Sequence, residues 1–297
     1  MDSLEAELER ARDLAVADLA DAVEAVGFEC TRCGACCKGY VDGCGDGTGE
    51  ADGSGAGGDE TGETDGSGAG GDETGEAGGG GAGGDGGPAG DGAEPGPDDA
   101  EGAGDPHTAT VFPDEVRRLR EAAAASDDPA LADEYDWRDV ARPMPYGLRE
   151  DGTAGETFEW ALATDDCGDC TFYDGSGGEG RCAVHDDRPL VCRTYPFSVD
   201  VGGTSQPMGG VVEEAGPVRA HECEGLGRDI SRADAEDLAR ALKERAVREL
   251  EEAIAVREAY APADADGVVV HDSEGAKRPD GRPLRGDRAG GDGPDGA

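Results

Sequence analysis

Lysine is nearly missing from this chain: Lys38, Lys243 and Lys277 are the only three in 297 residues, so arginine carries almost all the positive charge. Basic residues as a class are scarce as well, with 26 Lys and Arg against 69 Asp and Glu and a formal net charge of −43. A surface of that sign has no basic patch with which to release counterions from phosphates, which argues against nucleic-acid binding. An anionic membrane surface is disfavoured for the same reason, and no run of eighteen apolar residues is present to span a bilayer. The start, Met1-Asp-Ser-Leu-Glu-Ala-Glu, has no basic stretch, apolar core or twin arginine, so a cytoplasmic location is expected. Aromatic residues make up 4% of the chain, which leaves little bulk for a core. Familiar catalytic signatures are missing too: there is no phosphate loop after an apolar strand, no GxSxG elbow and no HExxH helix. A GxGxxG-like match at residues 53–58 sits in low-complexity sequence with no strand before it or helix after it, and is set aside.

The acidity that is present is spread along the chain. Residues 41–105 hold 18 Asp and Glu and no Lys or Arg, yet the rest still carries 51 acids against 26 bases. An acidic, lysine-poor surface suits a cytoplasm of high salt, where screening suppresses self-repulsion, and a halophilic archaeal origin is inferred from it. Residues 41–105 also contain 27 of the 53 glycines and a 13-residue tandem repeat, 51–63 followed by 64–76. Such a segment cannot bury enough apolar surface to offset its ordering entropy and reads as a disordered insertion. A calcium-binding repeat is rejected because its units lack an apolar position.

Around this insertion three helices are expected. The first runs over residues 3–26 with Leu4, Leu8, Ala11, Ala15, Leu19, Ala22 and Val26 as one stripe, opened by a capping box at Asp2 and Glu5. A second starts near Asp114 with Val116, Leu119 and Ala123 as its apolar face. The third opens at Ser231 with Asp234 three residues on, and presents Leu238, Leu242, Ala246, Leu250 and Ile254. Residues 146–163, with Asp151-Gly152 at the turn, read as a short hairpin. The expected architecture is α+β: a small, irregular, cysteine-rich, metal-stabilised domain over residues 1–260, with flanking amphipathic helices, interrupted at 41–105 and followed by a disordered tail at 261–297.

Ten cysteines are present, and eight fall into two groups: Cys30, Cys33, Cys36 and Cys37, then Cys170, Cys182, Cys192 and Cys223. In an intracellular protein clustered thiols point to metal, whereas a disulfide framework requires export. Two-residue gaps let a loop fold back so that Cys30, Cys33 and Cys36 converge, and Gly34 permits the left-handed backbone such a loop uses. Side chains of neighbouring residues usually diverge, so either Cys36 or Cys37 is expected to face a second ion or to be no ligand. Zinc would need a further donor from far along the chain, while a C-x2-C-x2-C run plus one remote cysteine suits a cubane iron–sulfur cluster. His185 and His221 are alternative donors, expected instead to be exposed or hydrogen-bonded. Arg188 and Arg193 either offset thiolate charge or clamp the loop, and Tyr195 and Phe197 are expected to pack.

The knot Cys30-Thr-Arg-Cys33-Gly-Ala-Cys36-Cys37, the segment at Cys170, the run from Cys182 through Arg188-Pro189 and Cys192-Arg193 to Tyr195-Pro196-Phe197, and the late Cys223-Glu-Gly-Leu-Gly227 resemble the YkgJ-type CxxCxxCC cysteine-cluster family. The resemblance spans about residues 28–227 without the insertion. It implies a zinc- or iron-chelating module, loosely described as an iron–sulfur oxidoreductase, whose eight patterned cysteines are the metal ligands. Some longer relatives are linked to lysine methylation of flagellins. Cys44 and Cys167 lie outside the shared pattern and inherit no ligand role.

Three functions follow as expectations. The first is a cytoplasmic protein holding an iron–sulfur cluster or zinc and capable of redox chemistry. The others are a structural zinc module for interaction with another protein, and a protein-modifying enzyme related to methyltransferases. The partner or substrate is left open, and no catalytic residue is assigned.

Overall fold

In the computed structural model the N-terminal stripe is divided between two helices, α1 (Leu4–Asp13) and α2 (Val16–Val26). The structure describes residues 3–39, 108–176, 180–202, 210–263 and 265–284. The expected insertion at 41–105 therefore lies outside the described residues, as does the tail beyond 284. Leu14 and Ala15 between the helices are extended, and Lys243 Nζ donates to the Leu14 carbonyl at 2.7 Å, supplying the partner that a continuous helix would have provided. The N-cap of α1 is Ser3, whose Oγ accepts from the Ala6 amide, so the expected cap moves one residue along.

After the knot come β1 (Thr110–Val111), α3 (Pro113–Ala125), α4 (Trp137–Val140), β2 (Ala141–Pro143), β3 (Gly155–Thr157) and β4 (Trp160–Leu162). They are followed by β5 (Tyr173–Asp174), β6 (Arg181–Cys182), α5 (Leu190–Thr194), β7 (Phe197–Val199), β8 (Val211–Ala215) and β9 (Val218–His221). The chain closes with the long α6 (Arg232–Ala259) and the strands β10 (Val268–Asp272) and β11 (Gly275–Lys277). The fold is thus α+β with four small sheets, ordered β1-β4-β2, β11-β10-β3, β5-β6 and β7-β9-β8.

Two apolar clusters form the core. In the first, α1 and α2 both lie on α6, where Ala235, Ala239 and Ala246 are small enough for close approach and Leu242 and Leu250 fill the space beside Leu8, Leu19, Val23 and Phe197. The break at Leu14-Ala15 is what lets both short helices face the same partner. Ser231 caps α6 as its sequence indicates, Oγ accepting from the Asp234 amide at 3.1 Å. The second cluster gathers Val116, Leu119, Trp137, Trp160, Leu162 and Phe172, with Cys170 among its buried members and Cys37, Cys182 and Cys192 packed against it. The cysteines thus border a core.

Two expectations are corrected. The Asp151-Gly152 turn exists, with the Gly152 amide on the Arg149 carbonyl and an antiparallel bridge from Leu148 to Gly155, but the strands that follow go to different sheets. β3 pairs parallel with β10, while β4 sits between β1 and β2. The tail, expected to be disordered from residue 261, instead supplies β10 and β11. Its Val268-Val-Val run is β-branched and buries Val269 and Val270, enough to add a strand to β3.

This late sheet is locked by a buried ionic network. Asp272 Oδ2 accepts from Trp160 Nε1 at 2.9 Å and from Lys277 Nζ at 2.7 Å, with Asp272 and Lys277 2% and 4% exposed. Lys277 also reaches Glu274, whose carboxyl is held at about 2 by Arg117 together with Lys277. Removing one partner leaves a buried charge uncompensated. Lys277→Ala should therefore destabilise the fold by about 3–5 kcal/mol, whereas Asp151→Ala in the exposed turn should cost less than about 1 kcal/mol. Urea unfolding in molar KCl measures both, and equal midpoints would show that the network contributes nothing.

Candidate metal centre

The knot is shaped by its backbone. α2 ends at Gly27, and the chain is then clamped by the Glu29 amide on the Gly225 carbonyl and the Gly227 amide on the Gly27 carbonyl, both at 3.0 Å. Arg32 and Gly34 take left-handed backbone, φ 57° and 78°, which folds the loop back on itself. Gly34 is required twice over, since a Cβ there would also stand 2.5 Å from the Tyr173 ring. Ala35–Cys37 form a single 3-10 turn closed by the Cys37 amide on the Gly34 carbonyl at 2.8 Å. In that turn the Cys36 and Cys37 sulfurs lie 3.8 Å apart, so the expected divergence of the two side chains does not occur.

The second group arrives on four separate supports. The Cys170 amide donates to the Cys37 carbonyl at 2.7 Å, and beside it the Gly39 amide donates to Asp169 Oδ1 at 2.9 Å. Cys182 sits in β6 opposite Tyr173, in a hairpin pinned by Arg181 to Asp128 and Asp174. Cys192 is carried by α5, whose first amide, that of Leu190, donates to the buried Glu115 carboxyl on α3 at 2.9 Å. Burial pushes that carboxyl up. Cys223 opens the loop clamped against residues 27–29, with its sulfur accepting from the Gly225 amide at 3.4 Å.

Six cysteines, Cys30, Cys36, Cys37, Cys170, Cys182 and Cys192, line one cavity of about 50 Å³. Cys33 and Cys223 are not on its wall, but the Cys223 thiol lies within electrostatic reach of Cys33, Cys36 and Cys30. Cys36 is common to both neighbourhoods. All eight patterned cysteines are free thiols, whereas Cys167 is disulfide-bonded and Cys44 lies outside the described residues. Among the described residues no group of three or more His, Cys, Asp or Glu side chains is arranged, as it stands, to hold an ion. The donor set nevertheless fits one. Two thiolates on a tetrahedral zinc, each bonded at about 2.3 Å, stand roughly 3.8 Å apart, the separation of Cys36 and Cys37.

Burial governs the acidity of these thiols. It pushes Cys170 up to about 12, raises Cys182 and Cys223, and with the neighbouring thiolates raises Cys192 further. The exception is Cys36, drawn down to about 7 by the hydrogen bond from Cys37, with help from Arg188; Cys37 is raised in turn by giving that bond. The pair thus gives up one proton readily and keeps the other. The two candidate arginines separate here: Arg188 lines the cavity with Nε on the His185 carbonyl, whereas Arg193 is exposed and off the wall. His185 also lines the cavity, while His221 is buried against Ser198 Oγ at 2.9 Å. Tyr195 donates its hydroxyl to the Glu222 carbonyl, and Phe197 is fully buried edge-on to Phe28, both in packing roles.

Residues 114–224 match the CxxCxxCC family model. Its description is "Putative zinc- or iron-chelating domain", which supports metal binding without separating zinc from iron. The match takes in Cys170, Cys182, Cys192 and Cys223, and the resemblance read from the cysteine spacing holds over that segment. The knot at residues 30–37 precedes the matched segment and is joined to it in space by the Cys37–Cys170 hydrogen bond. No curated protein and no solved structure matches the chain. Of the two arginines weighed from the sequence as an offset for thiolate charge, Arg188 is on the cavity wall, whereas the Glu115 anchor under α5 left no sign in the cysteine spacing.

Thiolate is the reactive form of cysteine. In metal-free protein, iodoacetamide should therefore label Cys36 ahead of the buried Cys170, with a rate at Cys36 rising through a midpoint near pH 7. Peptide mapping by mass spectrometry reads the order. Labelling of Cys170 before Cys36 would contradict the assigned electrostatics.

Proposed function

We propose that the chain binds zinc or iron directly through thiolates drawn from the eight patterned cysteines, and that a bound ion ties the knot to the segment from Cys170 to Cys223. The observation that carries this reading is that six free cysteines line one small cavity, with Cys36 and Cys37 at the sulfur–sulfur separation of a shared tetrahedral ion. Cys30, Cys170, Cys182 and Cys192 share the cavity wall with that pair, and Cys33 and Cys223 extend the donor set outside it, near Cys36 and Cys30. Arg188 offsets part of the negative charge of a tetrathiolate ion. Because most of these thiols are held protonated by burial, binding must release protons, and affinity rises with pH.

An iron–sulfur cluster is the second reading, favoured by the C-x2-C-x2-C run and by the low-lying Cys36 thiolate. Its cysteines bind different irons and stand farther apart than Cys36 and Cys37 do, which is why single ions are placed first. Among the described residues no feature favours a methyl-transferring enzyme. The acidic, arginine-paired surface is read as an adaptation to concentrated salt in a cytoplasmic protein.

Anaerobic purification in molar KCl, followed by metal analysis and an absorption spectrum, tests both readings. A colourless zinc protein, or iron without sulfide, supports single ions, and acid-labile sulfide with visible absorption supports the cluster. Cys33→Ser and Cys182→Ser should each lower bound metal and the melting temperature together, since each removes a ligand from an otherwise closed shell. Unchanged metal and stability in both would remove the cysteines from the function.

A further inference from the structure

A cavity of about 590 Å³ opens between α6 and the β3–β4 segment, within the range of pockets that take small organic molecules. It is separate from the thiol cavity, although α5 borders both, Val191 on one and Cys192 on the other. Aromatic side chains dominate its mouth. Five large apolar residues are exposed among the described residues, and three of them, Tyr146 at 71%, Phe158 at 45% and Tyr260 at 42%, line this one opening. In a chain with 4% aromatic residues, that gathering of exposed rings on a strongly acidic surface implies a ligand. Trp160 closes the floor, its Nε1 already donated to Asp272.

The charges on the wall select the sign of that ligand. Glu159, Glu249, Glu252 and Asp272 stand against Arg245 and Arg257. Arg245 is held by Glu249 at 2.7 Å, Arg257 by Glu5, and Asp272 is matched by Lys277. Glu252 accepts from the Ser273 amide at 2.7 Å, and no cation pairs with it among the described residues. The wall also shows that its rings take cations, since the Arg248 guanidinium lies 4.4 Å over Phe112 at the edge of the same cavity.

We propose that this cavity binds an organic ammonium ion with an apolar body, the body among Phe158, Trp160 and Tyr260 and the cationic head between the ring faces and the Glu252 carboxylate. The site is independent of the metal reading.

Calorimetric titration of the full chain with its metal, in molar KCl, tests it with three probes of similar size: benzyltrimethylammonium, benzyl alcohol and benzoate. The ammonium should bind saturably at one per chain, and the alcohol and benzoate at least about tenfold more weakly. Tyr260→Ala should weaken the ammonium by about tenfold. Glu252→Gln, which keeps the shape of the side chain, should weaken it about threefold or more, since partly buried pairs are screened less than exposed ones. Metal content and circular dichroism of both variants should match the parent, which separates failure of this site from failure of the metal centre. Equal binding of the alcohol or benzoate, no ammonium binding, or an isotherm unmoved by Glu252→Gln would overturn the proposal.

Discussion

The Cys170 amide on the Cys37 carbonyl, at 2.7 Å, with the Gly39–Asp169 contact beside it, joins two pieces of chain 130 residues apart. The rest of the thiol cavity depends on that seam, because it fixes the knot against the hairpin that carries Cys182 and the short helix that carries Cys192. Bringing such distant segments together costs chain entropy, but the cost grows only as the logarithm of the intervening length, so a long acidic insertion there is tolerable. Backbone hydrogen bonds do the positioning, which leaves the thiols free to turn toward an ion. With so few aromatic residues to fill a core, an ion bound across the seam would add stability where apolar burial is thin.

Charge follows a consistent division of labour. The three lysines all have partners: Lys38 over the Tyr173 ring, Lys243 on the Leu14 carbonyl and Lys277 in the buried network with Asp272. The surface is left to carboxylates and arginines, and the arginines pair across elements, Arg232 to Asp21 and Glu24, Arg248 to Asp114, and Arg12 to Glu251. Each exposed pair contributes little by itself. Their joint effect is to link α6 to α2, α3 and α1 where unpaired carboxylates would otherwise repel. Around the thiols the wall carries Arg32, Arg181 and Arg188, which offset part of the charge that thiolates would bring there.

How much of this was legible in the sequence depended on the signal each residue carried. The Ser231 cap, the apolar faces of α3 and α6, and the left-handed Gly34 follow from local chemistry that tertiary packing left unchanged. The split between α1 and α2 does not, since neither Leu14 nor Ala15 is a helix breaker; the break is set by the fit to α6 and by Lys243, more than 200 residues away. β10 was hidden because a three-valine run in a glycine-rich tail reads as composition until β3 offers it an edge. The cysteine set could be read from spacing, but the contact between Cys36 and Cys37 could not, because it arises from one 3-10 turn. The aromatic cavity drew its walls from six separate stretches and left no periodic trace.

The most direct measurement of the central claim is X-ray absorption at the edge of whichever metal copurifies, on anaerobic protein in molar KCl. The account predicts a first shell made of sulfur alone, about four scatterers at roughly 2.3 Å for zinc, and no second metal at short range. A first shell dominated by nitrogen or oxygen would contradict the thiolate centre.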